Sequence, residues 1–165
     1  MAAESVVVVA DSGPLIALAG AGCLGLLHSL FQRVVVPRAV LAEILAPPSG
    51  RPGAAAILAA DWIEIADPTG APDPLLSASL DSGEAAVIAL ARTISGAVVL
   101  LDERRGRQIA STAYRLQVVG TVGVLVRAKR AGLLPAVGPV LDAILRNGYF
   151  LSERLVQQAL AAARE

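Results

Sequence analysis

Hydrophobic positions follow two rhythms along this chain. Short β-branched runs at 6–10, 33–36, 62–65, 97–101 and 117–119 read as strands. The first and fourth are almost wholly apolar, as strands covered on both faces are. Between them lie longer Ala- and Leu-rich stretches that read as helices. These fall at 14–30 (broken near Gly20 and Gly22), 38–46, 53–60, 83–95, 103–115 and 121–131. Two more, near 137–146 and 152–164, close the chain. Pro37 stands where a first helical residue would, and Gly96 where the 83–95 helix would end. Segments 47–53 and 67–74, rich in Pro and Gly, read as loops. Strand–helix alternation predicts one α/β domain over 1–165, a three-layer α/β/α sandwich around a parallel sheet of about five strands. Its core spans about 5–130, with helices at about 135–165.

Composition narrows the class. Ala, Leu, Val and Ile supply 84 of the 165 residues, and only 17% are charged, against about 25% in an ordinary domain. That excludes disorder. Aromatics at 3% argue against a platform of several stacking rings. A single cysteine, Cys23, and a single histidine, His28, exclude a disulfide framework, a Cys-rich zinc site and a multi-histidine site within one chain. The lone thiol suits a reducing cytoplasm. Cys23, His28 and Trp62 are read as packing residues. The N-terminal valine run lacks a basic flank and is too short for a signal peptide. Residues 12–32 carry no formal charge, but Gly, Pro and polar residues interrupt them. They read as two buried helical pieces, with no membrane span.

The net charge is zero, yet it is unevenly laid out. Residues 1–103 hold four arginines against eleven acids. Residues 104–130 hold Arg104, Arg105, Arg107, Arg115, Arg127, Lys129 and Arg130 with no acid. Such a run is by itself a solvated helical face; an anionic partner needs a second argument.

The acids supply one. Asp11 closes the first strand and Asp102 the fourth, where the functional crevice of an open parallel sheet lies. Each follows an apolar run, and each has a plain alternative as a helix cap. Glu84 shares a helical face with Val87, Ile88 and Ala91, and with Asp81 three residues earlier it also forms a variant capping box. Glu43 lies within an apolar stretch with no opposite charge three or four positions away; an exposed face is its plain alternative. Four carboxylates brought together repel unless a cation joins them. Hard oxygen donors without His or Cys favour Mg²⁺ or Mn²⁺. Such an ion activates water and stabilises charge on a phosphodiester. The arginines after Asp102 would then hold a nucleic-acid backbone beside it.

On these residues the chain resembles the PIN-domain nucleases, which include the VapC-type toxins. The resemblance rests on VVVVADSGPLIAL, VVVPRAVLAEIL, DSGEAAVIALA, VVLLDERRGRQIA and VVGTVGVLVRAKRAGLL, in order over about residues 5–155. It implies acidic metal ligands at Asp11, Glu43, Glu84 and Asp102, with Ser12 near the metal water or phosphate. The pattern departs at Glu84, where many relatives carry Asp; Asp81 and Glu103 are the neighbouring acids that compete for these places. The GEAAVIALA and GTVGVLVRAKRAGLL segments resemble a less-characterised subgroup. The implied activity is a divalent-metal-dependent ribonuclease leaving a 5′-phosphate and a 3′-hydroxyl, with Arg104, Arg105 and Arg107 on the RNA. The implied partners are a second copy in a homodimer and a small antitoxin covering the acidic cleft. The apolar surplus agrees with an interface.

Three other readings stand beside it. Gly20, Gly22 and Gly25 fit the dinucleotide-binding G-x-G-x-x-G pattern, with 15–19 as its strand and Arg38 placed for a 2′-phosphate. A phosphoryl-acceptor domain would want a lysine after a late strand, and the one lysine, Lys129, falls in a helix. A PIN-like binding module without turnover would keep the fold and lose the metal.

Overall fold

The structure is a computed structural model and describes residues 6–46 and 51–165. The first part of the expected 47–53 loop, residues 47–50, lies outside the described residues. Five strands form the sheet: β1 (Val7–Ala10), β2 (Arg33–Val36), β3 (Ile63–Ile65), β4 (Val98–Leu100) and β5 (Gln117–Val119). All pair in parallel, in the order β3-β2-β1-β4-β5. β1 is central, with Val8 opposite Val34 on one side and Val98 on the other. Every residue of β1 and β4 is buried. Their apolar runs follow from that burial, since layers of helices cover the sheet.

Ten α-helices surround the sheet among the described residues. They are α1 (Ser12–Gly20), α2 (Gly25–Leu30), α3 (Arg38–Leu45), α4 (Ala54–Ala59) and α5 (Pro74–Ser79). After these come α6 (Ser82–Ala91), α7 (Arg104–Gln108), α8 (Thr121–Arg130), α9 (Gly138–Arg146) and α10 (Glu153–Ala162). α6 packs on β1 and β4 with α3 and α5 beside it, while α1 packs with α3, α4, α8 and α9. Leu18, Val99, Leu100 and Leu125 are fully buried at the centre, each worth about 1.5–3 kcal/mol of apolar transfer. The three-layer α/β/α sandwich with its parallel five-stranded sheet is the architecture the alternation predicts.

Several local readings need correction. Residues 15–19 are helical, inside α1, so Gly20, Gly22 and Gly25 lie at the corner between α1 and α2. A dinucleotide fingerprint needs a strand-to-helix turn there, and none exists. The segment before α6 holds the unanticipated helix α5, opened by Asp73, whose side chain accepts from Leu75 N–H, and by Pro74. α6 stops at Ala91 rather than 95, and Gly96 instead supplies a left-handed turn (φ +70°) into β4. The 103–115 helix changes pitch: α7 runs into a π-helical turn at Ile109–Ala113. Pro37 also stands one place earlier than expected, as the N-cap of α3.

The sheet changes direction between β1 and β4. From β1 the chain steps outward to β2 and β3, then returns to lay β4 on the free side of β1. Connections therefore diverge at the carboxyl ends of these two strands, which opens a crevice there.

Candidate functional site

Asp11 stands at the crevice. Its backbone N–H donates to the Leu100 carbonyl at 3.0 Å, which ties the end of β1 to the end of β4. It occupies the N-cap position of α1, yet its side chain caps nothing. The residue is 8% exposed, and its Oδ1 is buried with no hydrogen-bond partner. A cap would satisfy the N–H of the second or third helical residue; this carboxylate accepts from neither. Burial, with Glu43, Glu84 and Asp81 nearby, pushes its pKa up to about 7 against the opposing pull of the Ser12 N–H.

α3 and α6 bring the next two acids. The Ser12 hydroxyl donates to Glu43 Oε2 at 2.7 Å, joining α3 to the first turn of α1. On its other side the Glu43 carboxylate rests against Gly83. A Cβ built there would lie within 2.8 Å of both its oxygens. Gly83 is thus the cradle that lets α3 present a carboxylate beside the next residue of α6, Glu84. Glu84 is buried and forms the full capping box: its N–H donates to Asp81 Oδ1 at 2.9 Å while its own carboxylate accepts from Asp81 N–H. Burial, then the charge of Asp81, pushes the Glu84 pKa up to about 6. The cap explains how Glu84 is held; it does not relieve the crowding of negative charge.

Asp102 is differently engaged. Its Oδ1 accepts from Thr121 N–H at 2.8 Å, and its Oδ2 accepts from the Thr121 hydroxyl at 2.5 Å and from the Tyr149 hydroxyl. It therefore caps α8, across the sheet edge, while Glu103 caps α7 by accepting from Gly106 N–H at 2.8 Å. Three bonds on about four lone-pair sites leave Asp102 one free. Burial, followed by the charge of Asp102, drives the Tyr149 phenol far above its ordinary pKa, and Asp11 adds to the effect. Tyr149 is thus bonded to one aspartate and within reach of the charge of the other. Glycine at position 13 leaves the Tyr149 hydroxyl room, since a Cβ built there would lie 3.0 Å from it.

The structure groups Asp11, Glu43 and Glu84, with Asp81 behind them, and turns Asp102 toward Thr121 and Tyr149. Among the described residues, no three or more His, Cys, Asp or Glu side chains are arranged to hold a metal as they stand. The donor chemistry nevertheless fits a hard divalent cation. Its mark is the Asp11 oxygen, buried and unpartnered beside a second carboxylate cradled by glycine.

The basic run separates in space. Arg104 and Arg105 are exposed on α7, outside any ion pair among the described residues. Arg107 turns inward and donates to the Leu101 carbonyl at 2.9 Å. Arg127, Lys129 and Arg130 occupy the last turn of α8, roughly 9–13 Å along the helix from the Asp102 end. Lys129 is paired there with Glu165 at 3.0 Å. Of the run, Arg107 is the one held beside Asp102: its Nη1 and Asp102 Oδ1 would each lie 2.8 Å from a Cβ built at Gly120.

Sequence reasoning missed Thr121 and Tyr149. The signal for Thr121 was present: a Gly–Thr step straight after the last strand, with Gly120 leaving no room for a Cβ against Asp102 and Arg107. Nothing local marks Tyr149, which reaches Asp102 from 47 residues away.

The family described as PIN domain matches residues 7–165 of the chain. No curated protein and no solved structure matches it. PIN domains are generally nucleases and typically use divalent metal ions.

Proposed function

The chain belongs to the PIN-domain family, and from that premise we propose that it is a divalent-metal-dependent ribonuclease acting at the crevice between β1 and β4. The observation that carries this reading is Asp11, buried and uncapped at the end of β1 with its Oδ1 unpartnered. A carboxylate in that state costs stability. A bound cation would offset that cost; the Ser12 N–H offsets only part of it, since the pKa still stands at about 7.

Asp11, Glu43 and Glu84 would hold the ion, with the free lone pair of Asp102 completing its shell. When bound, Mg²⁺ or Mn²⁺ supplies water activation and neutralises charge building on the phosphodiester. Ser12 keeps Glu43 oriented through its 2.7 Å hydrogen bond. Thr121 and Tyr149 fix Asp102. Arg104 and Arg105 hold the strand by its phosphates, and Arg107 braces the loop that carries Asp102 through the Leu101 carbonyl. The products are a 5′-phosphate and a 3′-hydroxyl.

A reducing cytoplasm is the compartment that suits its lone thiol, Cys23. No described helix is long and apolar enough to cross a membrane. Leu45, Leu58 and Phe150 are exposed apolar residues suited to a homodimer contact. A small antitoxin would silence the site by inserting a basic side chain among the acids. Sedimentation of the isolated chain reads the first of these, and co-purification with the neighbouring small reading frame the second.

Purified protein should cut single-stranded RNA only with Mg²⁺ or Mn²⁺ present, and Asp11→Asn should fold and not cut. Cleavage indifferent to chelator, or undiminished in the variant, removes the reading.

A further inference from the structure

A cavity of about 330 Å³ opens beside the carboxylates, lined among others by Ser12, Ile16, Arg51, Pro52, Asn147 and Tyr149. That is the small end of ligand pockets, with room for a nucleoside and not for a duplex. We propose that this cavity takes one unstacked nucleobase of the bound strand, the base next to the phosphate presented to the carboxylates. The proposal rests on the ribonuclease reading above.

Two side chains make the cavity continuous with the acidic site. Ser12 lines it and is bonded to Glu43; Tyr149 lines it and is bonded to Asp102. A strand held at the acids therefore has this cavity immediately beside it. The wall is built at some cost. α1 carries glycine at both ends, where the 147–149 segment approaches. A Cβ at Gly13 would lie 3.0 Å from the Tyr149 hydroxyl, and one at Gly20 would lie 3.1 Å from Asn147 Nδ2. Alanine is the better helix former, and close approach of that wall is what glycine obtains here.

The groups on the wall match a base in kind. Tyr149 commits its hydroxyl to Asp102, so what it offers the cavity is its aromatic ring. Asn147 commits its amide nitrogen to the Gly20 carbonyl at 2.9 Å, which orients the group and leaves its oxygen as an acceptor. Arg51 forms no ion pair among the described residues and offers donors and a flat guanidinium. Ile16 and Pro52 supply apolar contact. Single-stranded RNA is read in this manner, by splaying a base onto an aromatic or guanidinium plane and bonding its edge.

The test uses labelled single-stranded RNA whose cut position has been mapped on the wild-type protein. Binding is measured by fluorescence anisotropy for the intact strand and for strands carrying one abasic ribose at each position flanking the cut. One abasic position should weaken binding about 5- to 150-fold, the range of a single stacked base, and the others should scarcely change it. Ile16→Phe, which fills the cavity, and Asn147→Ala, which strips an exposed wall residue, should each erase that difference. Asn147→Ala decides alone if Ile16→Phe does not fold. Equal binding at every abasic position by a protein that cuts RNA overturns the base pocket and leaves the nuclease reading standing. A wild-type protein that neither binds nor cuts RNA overturns the nuclease reading, and the pocket with it.

Discussion

Replacing Asp11 with asparagine should stabilise the metal-free protein at pH 8. The carboxyl pKa rises from 3.8 to about 7 on folding, a little over three units. At 1.36 kcal/mol per unit, ionised Asp11 costs the folded state about 4 kcal/mol. Asparagine is close in shape and cannot ionise, but its amide inherits the unpartnered position, at a cost of about 1–3 kcal/mol. The net gain at pH 8 is therefore about 1–3 kcal/mol. The sign with pH follows from proton binding. Between about pH 4 and pH 7 the folded state holds a proton on Asp11 that the unfolded chain has lost, so stability falls as pH rises through that window. Below about pH 4 both states are protonated and the penalty vanishes. Urea denaturation in chelator at pH 4, 6 and 8 should show wild type losing ground steadily. The asparagine variant should keep only the shallower fall from Glu84 between about 4.5 and 6. A variant less stable than wild type at pH 8 without metal would refute the argument, because the carboxylate would then have a stabilising protein partner beyond the Ser12 N–H.

Three further outcomes are expected. Gly83→Ala should leave the helical circular dichroism intact, since alanine favours α6, yet lower metal-dependent cleavage at least about tenfold by displacing Glu43; unchanged cleavage would show that the cradle is unimportant. Tyr149→Phe removes one of three donors to Asp102 and should cost about 1–2 kcal/mol in denaturant melts, against no loss if the phenol were merely packed. Arg104→Ala with Arg105→Ala should weaken RNA binding and reduce its log–log salt slope by about 0.7 for each phosphate no longer neutralised; an unchanged slope would make the two arginines a solvated face.

Much of this architecture is legible in the residues because the sheet is wholly parallel and buried. Unbroken valine runs leave β1 and β4 little alternative to being internal strands, and once they are placed Asp11 and Asp102 fall at the crevice. Asp81 and Glu84 are readable for a similar reason, since a capping box is local chemistry. What the sequence conceals is what depends on distant packing. α5 is only six residues long, and its Asp–Pro start resembles a turn as much as a helix. Asp102 does cap a helix, but a distant one, because the β4–β5 pairing brings the α8 N-terminus to it. Tyr149 belongs to a segment without strand or helix periodicity, and only the docking of α9 on α1 brings it to the site. The basic run looked like one patch along the chain; the length of α8 divides it in two.

Direct titration of Mn²⁺ tests the central claim, that the carboxylates at the carboxyl ends of β1 and β4 form a cation site. Calorimetry on chelator-stripped wild-type protein should show saturable binding, accompanied by proton release near pH 7 as Asp11 gives up its proton. Asp11→Asn at the same concentration should show neither. Absence of saturable binding in wild type, or equal binding in the variant, would contradict the account.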